Sequence, residues 1–503
     1  MTYDVVPPSV GRLLPRLGFF RMHSWLSLVF LLAGLLIGAT ALARVARAQP
    51  ADAPVDTVQL GLASALERAL AVSPEVDQVQ AQRRRAEARY AEARASRFFT
   101  DFSLNTAHSF APGLEIPSDN AQPEHALYLN PEVENDWTPS ALRPFSNFEV
   151  VALQPIWTWG ELSGNIRAAD HAVDVEAARV DERALEVTLR TGELYYGLQL
   201  ARALDRLAVR TGNVIERAQR EVQRLLDEGS EDVDQADLFQ LQLTEQEYRR
   251  RVVEIEQGIT TARSALRRQL FLPETTVLEL AEAELAPLDF TIHPDSLDHY
   301  IALGLRHRPE LKQAAAGIAA RDALVDVARS EYYPKLGLQA SYGFSYTFPE
   351  RPRQNNAFIG DPYRGHSTRT GLGLQWNLNF FQTRARVEQA EAERNEVRYL
   401  EEAAQQLVRF QVEEAYRNVL TAEAAVASRN QDGRTTAEWL RTEQINFDLG
   451  FGDPENLVDA VRANLEAEAQ YYEAVQRFNV AVLRLWHATG VLAERAQTGT
   501  LIE

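Results

Sequence analysis

Two stretches of strict two-residue alternation interrupt the long helical patterns of this chain, and the clearer one runs from Leu336 to Phe348. Successive residues of a β-strand point to opposite faces. One face of this stretch would carry leucine, alanine, tyrosine and phenylalanine, whereas the other would carry glycine, glutamine, serine and threonine. An apolar face opposite a small polar face is typical of a strand in a membrane-spanning β-barrel.

The same alternation recurs in other parts of the chain. Between Phe102 and Phe110, and between Thr370 and Phe380, large apolar residues again alternate with small or polar ones. The alternative is a soluble β-sandwich, in which the apolar face packs against a second sheet. Four strands separated by helix pairs provide no second sheet, so we favour the membrane interpretation. The predicted strands span about 99–111, 147–158, 335–348 and 369–381.

Helical periodicity dominates the rest of the sequence. Apolar residues follow a sustained seven-residue repeat, which is typical of helices packed side by side. No proline occurs between Pro155 and Pro273 or between Pro362 and Pro454. A helix from about Gly160 to Glu228 would be ~100 Å long. The sequence therefore predicts two long helical hairpins, which turn back near residues 229 and 450.

The two halves of the chain repeat the same order of elements. Ser73-Pro74-Glu75 and Arg308-Pro309-Glu310 each place a proline where a helix begins. In both halves a helix, a strand, a loop, a strand and a long hairpin follow, which indicates an internal duplication. We predict a first repeat over 49–273, a connecting segment with a short helix over 274–308, a second repeat over 309–492 and a tail over 493–503.

The N-terminus has the layout of a secretory signal. Arginines precede an apolar run from Leu26 to Ala43, and Ala46-Arg47-Ala48 provides a small-x-small cleavage pattern. We therefore expect residues 1–48 to be a signal peptide. The alternative is an uncleaved transmembrane anchor, because the apolar run is nearly long enough to span a bilayer.

Composition excludes several functional classes. The net charge of −19 argues against a nucleic-acid partner. The chain has no cysteine, which excludes disulfides, thiolate chemistry and a lipid-modified N-terminal cysteine. Histidines are scattered without metal-ligand spacing, and neither a phosphate-binding loop nor a nucleophile elbow is present. We expect no enzymatic activity, no cofactor and no metal site.

Backbone hydrogen bonding requires that such a sheet be closed by several chains. Open sheet edges cannot exist in hydrocarbon, because each unpaired backbone group there costs several kcal/mol. Four strands cannot close into a barrel, and about eight strands only enclose a space that side chains fill. Two chains would give a plugged tube, whereas three would enclose an aqueous lumen, so we expect a trimer. The predicted fold class is mostly α, with four strands per chain in a shared transmembrane β-barrel.

From about Val58 to Val491 the chain resembles the TolC-type outer membrane efflux proteins. The most specific parts are the doubled organisation, the segment Leu153–Trp157 before a long helix, and the segment Gly450–Ala460 at the second turn. The resemblance implies a homotrimer with a twelve-stranded barrel in outer-membrane lipid. It also implies an α-helical tunnel through the periplasm, a closable inner tip, a periplasmic adaptor and an inner-membrane transporter.

The resemblance also implies which residues form the gate at the tip. Asp459 occupies the position of a lumen-facing ring aspartate, and Asn456 stands where the family archetype has another. Phe447 replaces a latch tyrosine and Gly452 a latch arginine. Around the first turn Asp234 and Gln235 replace a threonine and an aspartate. The gate candidates are Asp459, Asn456, Asp234, Phe447, Asp448 and Asp453.

The two turns themselves are the expected contact with the adaptor. The candidates there are Gly229, Ser230, Glu231, Gly450, Phe451 and Gly452. Closely spaced carboxylates at a gate raise one another's pKa and attract cations. The alternative is that this acidic run is a solvated turn, in which carboxylates at helix N-termini are favoured by the helix dipole.

The resulting hypothesis is an outer-membrane channel of a tripartite efflux or type I secretion system, which provides a passive conduit for a pump. The alternative is a periplasmic coiled-coil adaptor or scaffold without a pore. An adaptor usually places a single hairpin between β-rich modules, whereas this chain places strand pairs between hairpins twice. The exported compound stays open.

Overall fold

The computed structural model describes residues 57–115, 134–229, 234–292, 296–350, 361–449 and 452–498. The predicted signal peptide lies outside these residues. The chain separates into two units. The first comprises residues 1–57 and 275–277, of which Thr57 and the three residues 275–277 are described. The second unit comprises residues 58–274 and 278–503, and the fold below is that of its described residues.

Four long strands form one antiparallel sheet. They are β2 (Asp101–Ala111), β5 (Arg143–Trp157), β7 (Lys335–Thr347) and β8 (Gly365–Gln375), in the order β2-β5-β7-β8. Short strands β3 (Gly113–Glu115) and β4 (Glu134–Asp136) pair beyond the end of β2. Because β2 and β8 are the outer strands of the four, each pairs with one neighbour among the described residues.

The two faces of this sheet differ in chemistry, as the alternation predicts. Paired residues share a face, and the register aligns Tyr342 with Val150 and Phe344 with Phe148. Tyr342 is 48% exposed, whereas Ser341 on the opposite face is 9% exposed. The apolar face comprises Phe102, Leu104, Phe110, Phe148, Val150, Leu338, Tyr342, Phe344, Tyr346, Leu372 and Leu374.

The fourth strand ends earlier than the sequence predicts. β8 stops at Gln375, and the next helix begins at Phe380, so the expected strand over 376–381 is wrong. The side chain of Asn377 accepts a hydrogen bond from the Asn379 N–H at 3.1 Å. This side-chain turn competes with strand pairing, because it gives the backbone a local hydrogen-bond partner.

Nine helices account for most of the described residues. Two of them are very long: α3 has 67 residues and α7 has 69. The helices are α1 (Leu62–Val72), α2 (Pro74–Ala95), α3 (Glu161–Asp227), α4 (Gln235–Gln269), α5 (Ser296–His307), α6 (Pro309–Ser330), α7 (Phe380–Asp448), α8 (Pro454–Ala488) and α9 (Leu492–Thr498). In the described ranges, none of these helices has the length and apolar content to cross a membrane.

The helices pack in a lateral order that parallels the order of the strands. Near the sheet, α3 packs between α2 and α6, and α6 packs against α7. Towards the turns, α8 packs between α7 and α3, and α3 packs against α4. Elements β2, α2 and α4 therefore lie at one lateral edge of the second unit, and β8 and α7 lie at the other.

Small residues allow the long helices to approach closely. Gly212 of α3 lies against Tyr248 of α4, where an added Cβ would be 2.4 Å from the tyrosine hydroxyl oxygen. That hydroxyl donates a hydrogen bond to the Ala208 carbonyl at 2.8 Å. Such contacts explain why the helical seams contain alanine and glycine among their larger apolar residues.

The main core lies where the connecting segment crosses the helices. Leu66, Leu198 and Leu483 are fully buried there. The buried Asn479 of α8 holds the connecting segment, because its Oδ1 accepts from the Leu288 N–H at 2.8 Å and its Nδ2 donates to the Ala286 carbonyl at 2.9 Å.

The connecting segment also contains a strand that the sequence analysis missed. β6 (Val277–Leu280) alternates exposed and buried residues, and β1 (Thr57–Leu60) lies at the other end of the first repeat. The Leu60 carbonyl accepts a hydrogen bond from the Ala281 N–H at 2.9 Å. Strands of four residues carry too little alternation to be recognised in a sequence.

We expect the stability of the protein to fall in mild acid because of His487. Burial, and secondarily the charge of Arg308, lowers the pKa of His487 from 6.5 to about 4. The unfolded chain therefore binds a proton between these values that the folded chain does not, so stability decreases as the pH falls from 6.5 towards 4. At pH 5 the loss would be on the order of 2 kcal/mol.

Thermal unfolding of the purified protein at pH 7.5 and pH 5 measures this effect. His487→Gln is expected to remove most of the difference in melting temperature. The control is His171→Gln, which removes a histidine that pairs with Asp174 on the surface and is expected to leave the difference unchanged. Equal pH dependence of His487→Gln and the unmodified chain would contradict the assignment.

Candidate functional site

The structure brings the two hairpin turns together through a small apolar cluster. Ile215 and Val222 of α3 and Leu241 of α4 come from the first hairpin. Phe447, Leu457, Val458 and Val461 of the second hairpin complete the cluster. All are nearly inaccessible to solvent, so the cluster fixes the relative position of the segments that carry the gate candidates.

Two of the predicted gate aspartates are helix caps. Asp234 accepts hydrogen bonds from the Ala236 and Asp237 N–H groups at 2.7 and 3.1 Å, and Asp237 accepts from the Asp234 N–H at 2.8 Å. Asp453 accepts from the Glu455 N–H at 2.9 Å, next to Pro454 in the first turn of α8. Both carboxylates therefore satisfy amides that a helix start leaves unpaired.

Asp459 lies on the exposed side of α8 and has a charged neighbour. Its Oδ1 is 3.3 Å from Nη1 of Arg462, one helical turn further along. Both side chains are about half exposed, at 52% and 54%. Asn456 is also exposed, one turn before Asp459. The sequence analysis grouped Asp459 with other carboxylates and did not consider Arg462, although the spacing of three residues is present in the sequence.

Phe447 and Gly452 have packing roles in the second turn. Phe447 is 5% exposed and belongs to the apolar cluster between the hairpins. A Cβ on Gly452 would lie 2.5 Å from the backbone nitrogen of Phe447. Any side chain at 452, including the arginine of the family archetype, would clash with the end of α7 in this backbone conformation.

The remaining candidates are placed at the turns or lie outside the described residues. Gly229 follows α3 with a φ of +75°, a left-handed conformation that favours glycine. Asp448 is exposed at the end of α7. The predicted docking residues Ser230, Glu231, Gly450 and Phe451 lie outside the residues that the structure describes.

A cavity flanking the apolar cluster was missed by the sequence analysis. It has a volume of about 520 Å³ and lies between α3, the end of α7 and the start of α8. Arg217, Arg220 and Arg224 line it from α3. Their spacing of three and four residues places them on one side of the helix. This arginine spacing is present in the sequence and is the signal that could have predicted a positively charged face of α3.

The arginines of this cavity differ in their partners. Arg224 donates to Glu221 at 3.1 Å and to Glu228 at 2.6 Å, and its hydrogen bonds lower the pKa of the Glu221 carboxyl. Arg217 and Arg220 donate their Nε–H groups to the carbonyls of Asn213 and Glu216 in their own helix. Across the described part of the chain, neither of these two forms an ion pair with a carboxylate.

The polar face of the sheet carries an ion pair between β8 and β5. Arg369 Nη2 lies 2.9 Å from Glu149 Oε1. On the intervening strand β7, Ser341 pairs with Arg369 and Gly343 pairs with Glu149, and Gly371 and Gly373 continue the face along β8. Apart from Gly343, these residues border a cavity of about 390 Å³. The polar face carries charged groups, hydroxyl groups and glycines that leave the backbone accessible, and such a surface is compatible with water.

Aromatic residues surround the junction between the sheet and the helices. The indole of Trp159 donates to the Pro334 carbonyl at 2.7 Å and stacks on Tyr333. The indole of Trp376 donates to the Tyr332 carbonyl at 3.1 Å. The two indoles and the ring of Tyr333 are thereby fixed near the backbone before β7. Such amphipathic rings are enriched where a membrane meets water.

The fold is that of outer-membrane channel proteins. The VceC outer membrane protein of Vibrio cholerae superimposes with a TM-score of 0.65 at 16% identity, over 85% of this chain and 96% of that chain. The open state of the Neisseria gonorrhoeae MtrE outer membrane channel gives a TM-score of 0.64 at 15% identity, over 87% and 93%. The Campylobacter jejuni CmeC outer membrane channel gives 0.64 at 14% identity, over 87% and 88%.

The family match lies in the second repeat. Residues 301–491 match the family model described as outer membrane efflux protein. Over these residues the match confirms the resemblance drawn from the sequence. The family and the similar structures are channel proteins and not enzymes. A search of curated protein sequences finds no match.

If Asp459 lines the constriction of a channel, its pairing with Arg462 sets the charge there. We expect Asp459→Ala to weaken the block of single-channel current by polyvalent cations. Arg462→Gln would strengthen that block, because it leaves the carboxylate without its positive neighbour. Planar-bilayer recordings with hexamminecobalt added on either side measure both effects.

The matched control for these recordings is Arg477→Gln, which removes an exposed arginine paired with Glu473 further along α8. Hexamminecobalt is expected to block the current through this variant as strongly as it blocks the current through the unmodified protein. Unchanged conductance and unchanged block in Asp459→Ala would remove Asp459 from the gate.

Proposed function

We propose that this chain is the outer-membrane component of a tripartite efflux or type I secretion system. Three copies form a passive conduit from the periplasm to the exterior, and a pump in the inner membrane supplies the energy. The observation that carries this proposal is the four-stranded sheet, because it combines an exposed apolar face with two outer strands. The exported compound is chosen by the pump.

The edges of the sheet support association with further copies. β2 and β8 have 11 residues each, and they run antiparallel when β8 of one copy is placed beside β2 of the next. Pairing them satisfies backbone groups that hydrocarbon would leave unsatisfied. Three copies supply twelve strands, which enclose an aqueous lumen.

The lateral edges of the helical region support the same arrangement. Exposed apolar side chains occur on α4, where Phe239 and Leu243 are 61% and 64% exposed. They also occur at the matching height of α7, close to the second turn, where Trp439 and Ile445 are 41% and 49% exposed. Since α4 and α7 lie at opposite edges, a ring of copies brings these surfaces towards each other and removes them from water.

The chemistry of the two sheet faces supports the orientation of the conduit. The apolar face contacts outer-membrane lipid, and the aromatic residues at the helical end of the sheet lie at the periplasmic boundary of the bilayer. The polar face with Arg369 and Glu149 lines the water-filled lumen. The helices continue the conduit into the periplasm.

The turns are the proposed gate and the site where an adaptor docks. In this proposal Asp459 and Asn456 line the constriction, Asp448 lies at its rim, and Asp234, Asp453 and Phe447 hold the helices that carry them. The adaptor contacts the turns at Gly229, Ser230 and Glu231 and at Gly450, Phe451 and Gly452. No cofactor or nucleic acid takes part.

Engineered disulfides test the closure of the barrel, because the chain contains no cysteine of its own. Ala107 of β2 and Ser367 or Arg369 of β8 lie on the polar face at the two outer edges. We expect Ala107→Cys combined with Ser367→Cys or Arg369→Cys to give a covalent trimer on oxidation, which reducing agent converts to monomer. Denaturing gel electrophoresis of outer-membrane fractions measures the product.

The control combines Ala107→Cys with Thr368→Cys, which lies on the opposite face of β8, and is expected to stay monomeric on the denaturing gel. Heat-sensitive trimers that conduct ions in planar bilayers would accompany the covalent product. A water-soluble monomer released by osmotic shock would contradict the proposal and favour the periplasmic scaffold.

A further inference from the structure

The cavity beside the apolar cluster has two walls of different chemistry. Val214, Phe447 and Leu457 form an apolar wall, and Arg217 and Arg220 present positive charge from α3. Phe447 and Leu457 are 5% and 3% exposed, so this wall is fixed by packing. The volume of about 520 Å³ is enough for one or two large side chains.

The charge of this cavity contrasts with that of the whole chain. The protein has a net charge of −19, and carboxylates crowd the neighbouring first turn, where Asp227 and Glu228 are exposed. Arg224 is neutralised by Glu221 and Glu228. Arg217 and Arg220 keep their terminal nitrogens free of carboxylates within the described ranges, so they form a local positive site on an acidic protein.

No ion pair or hydrogen bond of the described residues crosses the cavity from α3 to α7. Asp448 and Gln444 line the α7 side, but among the described residues neither pairs with Arg217 or Arg220, whose Nε–H groups bond to carbonyls of their own helix. The helices are held together on the other side by the apolar cluster. The cavity is therefore open to a segment of another molecule.

We infer that this cavity is the docking site of an acidic, amphipathic segment of the adaptor, which inserts an apolar side chain against Phe447 and Leu457 and places carboxylates on Arg217 and Arg220. This inference rests on the proposed function, because it names the chemistry of the partner proposed there. Guanidinium groups suit carboxylates, since their donors match the two oxygens in geometry.

The position of the cavity extends the contact beyond the turns. Arg217 lies 12 residues before Gly229, or ~18 Å along a helix. A partner that extends from the first turn to this cavity first contacts the carboxylates of the turn and then the guanidinium groups of Arg217 and Arg220. The complementary surface of the partner therefore carries basic residues at its tip and acidic residues ~18 Å behind the tip, and this change of charge fixes how far the partner extends along the helices.

Binding of purified adaptors to the intact trimer tests the inference. The probes are the periplasmic adaptor proteins of the source bacterium, each purified separately and measured by biolayer interferometry. The double variant Arg217→Gln/Arg220→Gln is expected to bind its adaptor about tenfold more weakly, as two exposed ion pairs would predict. Added salt is expected to weaken binding of the unmodified trimer more than that of the variant.

The matched control is Arg434→Gln/Arg441→Gln, which removes two exposed arginines from α7 in the same hairpin region and is expected to bind normally. Recovery of binding when Arg217→Glu/Arg220→Glu meets an adaptor with lysines in place of its acidic residues would establish the contact. Heat-sensitive trimer formation shows that each variant is folded.

Three results would overturn the inference. Equal affinity of the Arg217→Gln/Arg220→Gln variant and the unmodified trimer would exclude the contact. Normal adaptor binding with altered ion selectivity in planar bilayers would place the arginines in the lumen instead. An unmodified trimer that conducts ions but binds none of the adaptors would overturn the docking role and leave the proposed conduit intact. Failure to form a conducting trimer would instead reject the proposed function.

Discussion

Backbone hydrogen bonding at the edges of the sheet is the constraint on which the rest of the structure depends. β2 and β8 are each paired on one side within the described residues, and a bilayer offers no water to the other side. The helices also support side-by-side association of copies of the chain. The apolar stripes of α4 and α7 lie at the same two edges as the outer strands. In the proposed conduit, the side surfaces of one copy meet further copies of the chain, whereas the apolar face of the sheet meets lipid.

At the other end of the long helices, acidic residues divide into two groups. Asp234 and Asp453 complete the starts of α4 and α8, because their carboxylates accept hydrogen bonds from free amides. Asp459 makes no such bond in the described part of the chain and forms an ion pair with Arg462 on an exposed surface. The aspartates around the two turns therefore have two different roles. Asp234 and Asp453 stabilise helix starts, whereas the exposed carboxylate of Asp459 is the one that can interact with a solute.

The fold was more predictable than the site. Alternation assigned the two faces of β7 from sequence alone, because burial on one side of a sheet imposes a period of two residues. The end of β8 was misjudged, since Asn377 forms a local turn that the apolar pattern conceals. At the tip, sequence position identified Asp459, but the clash that requires glycine at 452 depends on the path of α7. The cavity of Arg217 and Arg220 requires three helices to be placed together.

Asn479 has a mechanical consequence for the long helices. Its amide clamps the connecting segment through Ala286 and Leu288, with Phe290 set edge-on against Trp486 nearby. This contact fixes α8 to the connecting segment at one height. If the proposed gate opens by twisting of α8, the change would be absorbed by the ~25 residues between Asp453 and Asn479, or ~38 Å of helix. The helices between Asn479 and the sheet would then keep their spacing.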